Sequence, residues 1–205
     1  MSAVLIENTQ LLRTPIIELE FGGLLKELDA NEFFEFCQRN RDWRIERDKN
    51  GEVTIMTPTG WNTGDKNAEI TTQLRNWAKK DGRGRNADSS TGYELPDGSV
   101  LSPDASWILN ERLETLRPEQ LNKFLPLAPD FVIELRSETD KLDRLRGKMA
   151  QYIENGVSLA WLIDPLEAKA YIYANNGEIQ TLDKPPSLTG GPVVPGFVLD
   201  LEEIW

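Results

Sequence analysis

A buried-strand pattern, a helical pattern and a second buried-strand pattern follow one another in the second half of the chain. The stretch PDFVIELRS (129–137) and the stretch SLAWLID (158–164) have the apolar composition of buried strands. Between them, residues 139–156 carry apolar side chains at helical spacing and end at a glycine. A helix that joins two strands in this way usually makes a right-handed parallel connection. The pattern therefore predicts an α/β (or α+β) fold with a mixed central sheet.

Other patterns predict the elements around this unit. Residues 29–40 and 62–80 have the spacing of amphipathic helices. Asn-Gly pairs at 50–51 and 176–177 stand between alternating apolar residues, which is a strong signal for β-hairpins. The apolar residues of the C-terminal tail, 190–205, are expected to dock on the body of the domain.

The composition restricts the chemistry. The chain has no histidine and one cysteine, Cys37, which excludes Ser-His-Asp and Cys-His catalysis as well as zinc sites built from histidine and cysteine. Any metal must be held by oxygen ligands, which favours magnesium, manganese or calcium. A single cysteine fits a reducing compartment and the N-terminus has no secretory pattern, so we expect a cytoplasmic protein.

Length and charge bound the size of the protein and its partners. We interpret residues 1–205 as one domain with an N-terminal extension over about 1–25. The longest apolar runs are strand-sized, so no membrane-spanning segment is expected. The net charge of −11 argues against a general nucleic-acid coat protein. It does not exclude a nuclease, because local basic clusters such as 79–85 and 141–148 can face phosphates.

Two predicted strands carry a carboxylate. Glu134 lies inside an apolar run, where an unpaired charge is costly, and Asp104 begins the strand that follows Pro103. If these strands are neighbours, the two carboxylates repel, so one titrates high or a cation lies between them. A divalent metal would hold both. The alternatives are that Asp104 caps a turn and that Glu134 pairs with Arg136 on the same face of its strand.

The order of the motifs resembles the PD-(D/E)XK nuclease superfamily, with Pro103-Asp104 as the PD and Glu134-Leu135-Arg136 as the (D/E)XK. Within that superfamily the chain resembles the Uma-type "putative restriction endonuclease" family over roughly residues 25–205. The pieces that match in order are SPDASW, PDFVIELRS, KMAQYIENGVSLAWLIDP and VVPGFVLDL.

This resemblance implies a restriction endonuclease-like core with β-hairpin extensions. It also implies an endonuclease that hydrolyses phosphodiester bonds of nucleic acid, DNA in the first place. The cofactor implied is Mg²⁺, or alternatively Mn²⁺, held by Asp104 and Glu134. Because cutting two strands needs two sites, it further implies a possible homodimer.

The resemblance has one departure. The superfamily's usual lysine is Arg136 here, and an arginine stays protonated and cannot act as a general base. Lys148 on the helix over 139–156 is expected to compensate, while Arg136 is expected to hold a phosphate or stabilise charge. Glu69, on the helix over 62–80, is a candidate for a further metal or water ligand.

Two other classes of function stay open at this stage. The acidic net charge and the missing in-strand lysine favour a catalytically inactive binding or assembly module on a nuclease fold. A glycosidase with a carboxylate pair would need both groups to flank a sugar cleft. Here the two acids are expected close together on neighbouring strands, and this arrangement and the order of the motifs give a glycosidase little support.

Overall fold

The computed structural model describes residues 16–19, 25 and 27–205, with side chains for 25 and 27–205. In chain order, the helices and strands are β1 (Ile16–Leu19), α1 (Ala30–Arg39), β2 (Arg44–Arg47), β3 (Val53–Met56), α2 (Trp61–Asp81), β4 (Gly84–Asp88), β5 (Tyr93–Glu94), β6 (Val100–Leu101), β7 (Ala105–Leu109), α3 (Asn110–Leu113), β8 (Phe131–Leu135), α4 (Leu142–Glu154), β9 (Leu159–Asp164), β10 (Lys169–Ala174), β11 (Ile179–Asp183), β12 (Ser187–Thr189) and β13 (Val198–Asp200). Among these residues, no helix is long and apolar enough to cross a membrane.

A six-stranded sheet with the order β11-β10-β9-β8-β7-β4 forms the centre of the fold. Strands β8 and β9 are parallel and joined by α4, while their neighbours pair antiparallel. The predicted mixed central sheet is therefore confirmed. The parallel strands β8 and β9 belong to the strand–helix–strand unit from which the mixed sheet was predicted.

The two faces of the central sheet are covered by different helices. On one face, Phe131, Ile133 and Leu135 pack with α2 and the C-terminal tail. On the other face, Val132 packs with the apolar stripe of α4, which includes Met149. Because successive side chains of a strand point to opposite faces, Glu134 lies on the α4 face. The tail docks as expected, since its apolar side chains join the α2 core.

A second, five-stranded sheet, called the small sheet below, has the order β1-β3-β2-β6-β5 and is built from strands in the first half of the chain. The predicted hairpin is β2–β3, and Gly51 in its turn has a φ of 83°, which a glycine adopts without strain. Helix α1 packs on this sheet through the fully buried Phe33. Its Asp29 accepts the N–H of Glu32 in a capping box. Residues 102–104 connect β6 of this sheet to β7 of the central sheet.

Strand β4 was not predicted from the sequence, and the predicted N-terminal extension lies mostly outside the described residues. Strand β4 was not expected, because its letters GRNAD are poor strand formers and the basic cluster 79–85 runs into it. It is nevertheless paired along its whole length with β7, so tertiary pairing overrides propensity. Most of the extension expected over 1–25 lies outside the described residues. Its described strand, β1, pairs with β3.

Candidate active site

A pocket of about 590 Å³ is lined by β2 and β3 of the small sheet, by β8 of the central sheet and by helices α2 and α4. Asp104, Glu134 and Lys148 all line it. Arg44 and Glu46 of β2 line it as well. Charged groups from two sheets and a helix therefore meet in one concave site.

Asp104 and Glu134 are brought together by the pairing of β7 with β8. Ala105 pairs with Ile133 in antiparallel register, and continuing that register by one residue places Asp104 opposite Glu134. The Asp104 carboxylate also accepts the backbone N–H of Leu135 at 2.9 Å. Both acids are buried, at 9% and 3% exposure. Asp104 is thus tied to β8 itself and does not merely cap a turn.

Glu134 is held by two groups of α4. Its Oε1 is 2.7 Å from Nζ of Lys148 and accepts the hydroxyl of Tyr152 at 2.9 Å. Lys148 and Tyr152 lie four residues apart, so both project from one side of the helix. Among the described residues, Oε2 of Glu134 has no hydrogen-bond partner. One oxygen of this acid is therefore engaged and the other is open to a further ligand.

Glu46 is a site residue that the sequence analysis missed. Its Oε1 is 2.9 Å from Nζ of Lys148 and accepts the backbone N–H of Ser102 at 2.8 Å. It is 5% exposed although it lies in a short strand of alternating polar and apolar residues. That alternation predicts a half-buried strand with Glu46 facing solvent, so no local signal marked it. Only the packing of the small sheet against α4 buries it.

Arg44 is the second group that the sequence analysis missed. Its Nη1 lies 3.6 Å from Oδ1 of Asp104, and its Nη2 donates to the backbone carbonyl of Ser102. Its Nε is buried and has no hydrogen-bond partner. A guanidinium beside the acid pair, with a donor still unused, is suited to contact an anionic ligand.

Together, burial and the neighbouring charges raise the pKa values of Glu134, Asp104 and Lys148. Burial raises the pKa of Glu134 to about 7, with Lys148 opposing the rise and the acids Asp104 and Glu46 adding to it. Burial also raises the pKa of Asp104, against the pull of Arg44. Burial disfavours the Lys148 ammonium, but Glu134 and Glu46 outweigh it and raise its pKa. In this arrangement Lys148 is a cation at neutral pH.

Arg136 is placed away from the pocket lining. Its Nη1 is 2.6 Å from Oδ2 of Asp164 and 3.6 Å from Oε1 of Glu167. The alternative in which Glu134 pairs with Arg136 is therefore wrong. Strand β8 ends at Leu135, and the parallel neighbour β9 ends at Asp164. The arginine turns towards the acid of that neighbour.

Glu69 is likewise not brought to the pocket. Its Oε1 accepts the amide of Gln73, whose other contacts are with the backbone of Asp200. Asn67 of the same helix lines the pocket, and its Nδ2 is 3.4 Å from Oδ1 of Asp104. Residues two apart on a helix point to nearly opposite sides, so a candidate two positions from Asn67 misses the site.

The donor set fits a hard divalent cation with few protein ligands. Among the described residues, no group of three or more His, Cys, Asp or Glu side chains is arranged to hold a metal ion. Magnesium, however, is commonly held by one or two carboxylates, with water and substrate phosphate completing its shell. Asp104 and Glu134, with one open oxygen on Glu134, meet that requirement.

The fold and the site together define a restriction endonuclease-like protein. The model of the Uma2 family, described as "Putative restriction endonuclease", matches residues 30–202. The chain therefore belongs to that family. A search of curated proteins finds no match.

One solved structure supports this fold. The chain is similar to a "putative nuclease belonging to DUF820" from Anabaena variabilis, with a TM-score of 0.70 and 20% identity, over 86% of this chain and 97% of that one. A DrdV–DNA complex shares 17% identity at a TM-score of 0.38, over 57% of this chain and 10% of that chain.

Proposed function

We propose that the protein is a magnesium-dependent endonuclease of the cytoplasm that hydrolyses phosphodiester bonds in DNA. One observation carries the proposal. In a chain of this family, Asp104 and Glu134 face one another across β7 and β8 in a pocket, with the ammonium of Lys148 2.7 Å from Glu134. Two acids beside a cation are the groups that a metal-assisted phosphodiesterase uses.

Each residue of the cluster has a definite part in this reaction. Asp104 and Glu134 would hold the metal, which would supply Lewis-acid polarisation of the phosphate and would make a water easier to deprotonate. Lys148 is protonated, so it stabilises developing negative charge and does not take a proton from water. Arg44, with its unused Nε donor, orients a phosphate. Glu46 keeps the Lys148 ammonium in place.

The test is nicking of supercoiled plasmid by wild type, Asp104→Asn and Glu134→Gln in magnesium, with metal affinity followed by calorimetry. We expect both variants to lose metal binding and cleavage while staying folded. Glu69→Gln is the matched control, because Glu69 lies outside the pocket lining, and it should cut at the wild-type rate. Absence of any heat of binding to wild type at millimolar Mg²⁺ or Mn²⁺ would refute the metal site.

A homodimer belongs to the same proposal. Two sites are needed to cut both strands of a duplex, and one chain supplies one pocket of this kind among its described residues. Sedimentation of the protein with and without duplex DNA tests this. If the protein is a monomer and produces only nicked plasmid, the proposed phosphodiesterase activity stands and the proposed dimer is refuted.

The second candidate is a non-catalytic binding or assembly module. One observation favours it. Lys148 is bound to both Glu134 and Glu46, and Arg136, at the position of the superfamily's lysine, is bound to Asp164. The nicking assay separates the two candidates. A protein that binds metal and DNA but leaves the plasmid intact, in Mg²⁺ and Mn²⁺ alike, is the module.

A further inference from the structure

The basic clusters 79–85 and 141–148 are placed differently relative to the candidate site. The cluster 79–85 runs into the end of β4 that pairs with the last residue of β7, so it lies at the far end of that strand from Asp104. None of its residues, all of which the structure describes, lines the pocket, whereas Lys141 and Arg144 of the second cluster do. Of the two clusters, the second is therefore the one that meets a ligand in the pocket.

Lys141 and Arg144 are cations without an acidic partner. Both are exposed, and neither forms an ion pair with a described residue, unlike Lys148 and Arg146 of the same helix. The Nη2 of Arg144 donates to the hydroxyl of Thr54 on β3. A guanidinium has five N–H donors, so most of those of Arg144 are still available to an anion.

The two cations continue a line that begins at Lys148. Lys141, Arg144 and Lys148 are three and four residues apart, so they lie on one face of α4. A rise of about 1.5 Å per residue separates Lys148 from Arg144 by about 6 Å along the helix axis, and from Lys141 by about 10 Å. Successive phosphates of a nucleic-acid strand follow one another on this scale. A strand with one phosphate at Lys148 would therefore bring the next ones to Arg144 and Lys141.

The opposite wall of the pocket is acidic. The small sheet and its turns contribute the carboxylates of Asp42, Asp48 and Glu52 to the lining. Arg44 on this side lies beside Asp104. The chain as a whole carries a net charge of −11, which repels a polyanion except where local cations outweigh it. The α4 wall is where a phosphate backbone would meet positive charge that no acid neutralises.

We propose that Arg144 and Lys141 bind the phosphates next to the scissile one, so that one strand of the DNA runs along α4 from Lys148 towards the start of the helix. This inference deepens the proposed function and rests on its DNA substrate. Contacts to phosphates position a nucleic acid without reading its sequence. Arg144 and Lys141 therefore set the affinity for DNA, while Asp104, Glu134 and Lys148 carry the reaction.

The test measures binding of a fluorescein-labelled DNA duplex by fluorescence anisotropy over a range of salt concentrations, without divalent metal. One phosphate contact contributes about 0.9 to the slope of the logarithm of affinity against the logarithm of salt concentration. Arg144→Met and Lys141→Met should each bind about tenfold more weakly at ~0.1 M salt, and each should reduce the slope by about one. The double variant should reduce it by about two.

Arg146→Met is the matched control. Arg146 is a partly exposed cation two positions along the same helix, it pairs with Asp143, and it lies outside the pocket lining. The substitution changes the net charge by the same amount as Arg144→Met, yet it should leave the affinity and the salt slope of wild type. An equal loss in Arg146→Met would mean that net charge alone matters, and it would refute the inference.

The alternative is that Arg144 only holds α4 against β3 through Thr54. Thr54→Val removes that hydrogen bond and leaves the guanidinium in place, so it should keep the affinity and the salt slope. Arg144→Lys, which keeps the charge, should keep the slope as well. If Thr54→Val loses as much affinity as Arg144→Met, the contact is structural and the phosphate role of Arg144 is refuted.

The outcomes separate this inference from the proposed function. If Arg144→Met and Lys141→Met bind DNA as wild type does while wild type cuts plasmid, the endonuclease stands and the α4 contact is refuted. If both lose affinity as expected but wild type leaves plasmid intact, the contact stands and the endonuclease fails. If wild type binds no duplex at low salt, the inference is refuted. Thermal melts identify unfolded variants, and Lys141→Met, whose side chain makes no described hydrogen bond or ion pair, keeps the test decisive.

Discussion

The α4 side of the central sheet carries two buried contacts between a carboxylate and a cation, and they are built differently. At the ends of β8 and β9, Arg136 binds Oδ2 of Asp164, and Oδ1 of Asp164 accepts the backbone N–H groups of Leu166 and Glu167. Every oxygen of that acid has a partner. In the pocket, Lys148 and Tyr152 both bind Oε1 of Glu134, and its Oε2 has no partner among the described residues.

The balance of charge differs in the same way. The pocket cluster has three acids, Asp104, Glu134 and Glu46, against the two cations Arg44 and Lys148. Burial and the neighbouring acids raise the pKa of Glu134 to about 7 in spite of Lys148. A closed ion pair serves the fold, because its groups are matched. A cluster with surplus negative charge beside an open oxygen is arranged for a ligand that carries positive charge.

The largest effect on stability is expected where the matched pair is broken. Arg136→Met leaves the fully buried Asp164 without its cation, which should lower the free energy of unfolding by about 3–5 kcal/mol. Urea unfolding measures the loss, and calorimetry should show unchanged metal affinity. A variant as stable as wild type that no longer cuts DNA would give Arg136 the superfamily's lysine role.

Lys148→Met should act on catalysis more than on stability. Loss of the ammonium should slow cleavage by roughly 10²- to 10³-fold, as does loss of one group that stabilises transition-state charge. Metal affinity should be kept, because an ammonium is not a ligand. The fold should lose less than in Arg136→Met, because Glu134 can take up a proton. Cleavage at the wild-type rate, together with its loss in Arg136→Ala, would reverse the two assignments.

The Glu134→Gln variant tests the comparison through the pH dependence of the free energy of unfolding. The pKa of Glu134 is raised in the folded state, so its contribution to stability is fully present below its ordinary pKa of 4.5 and is lost as the pH rises through about 7. Without metal at pH 8, the variant should therefore be as stable as wild type or more so, by on the order of 1 kcal/mol. That difference should vanish below pH 4.5.

Magnesium should reverse that order at pH 8. Wild type should gain about 2.7 kcal/mol when the ion is at a hundredfold excess over its dissociation constant, and the Glu134→Gln variant should gain nothing. Thermal melts with and without magnesium measure both effects. A large drop in the metal-free variant would mean that Glu134 is a structural partner like Asp164.

The smallest effect is expected at an exposed pair that also joins the small sheet to α4. Lys49 and Glu154 are 3.2 Å apart, with side chains 49% and 62% exposed. Lys49→Met should change the free energy of unfolding by about 0.2–1 kcal/mol at low salt. Added salt should remove the difference, because it screens exposed charges. A loss of stability as large as that of Arg136→Met would show that burial does not explain why the Arg136–Asp164 pair contributes more than the exposed Lys49–Glu154 pair.

The sequence by itself determined the central unit and the acid pair. Two apolar runs and a helical pattern between them predict β8, α4 and β9, because the periodicity of apolar residues is a local property. Glu134 and Asp104 also stand out locally, since Glu134 lies inside an apolar run and Asp104 lies between Pro103 and the apolar run of β7. Lys148 was found as the basic residue bordering the stripe of α4.

The tertiary structure alone decided which other groups complete the site. Arg44 and Glu46 enter it because the small sheet packs beside α4, a contact between segments about 100 residues apart. Asn67 lines the pocket and Glu69 does not, because the packing of α2 on the sheet fixes the rotation of the helix about its axis. The sequence of the helix alone does not determine that rotation. Arg136 turns to Asp164 because β9 lies parallel beside β8. Such choices depend on long-range contacts, and neither local propensity nor charge pattern encodes them.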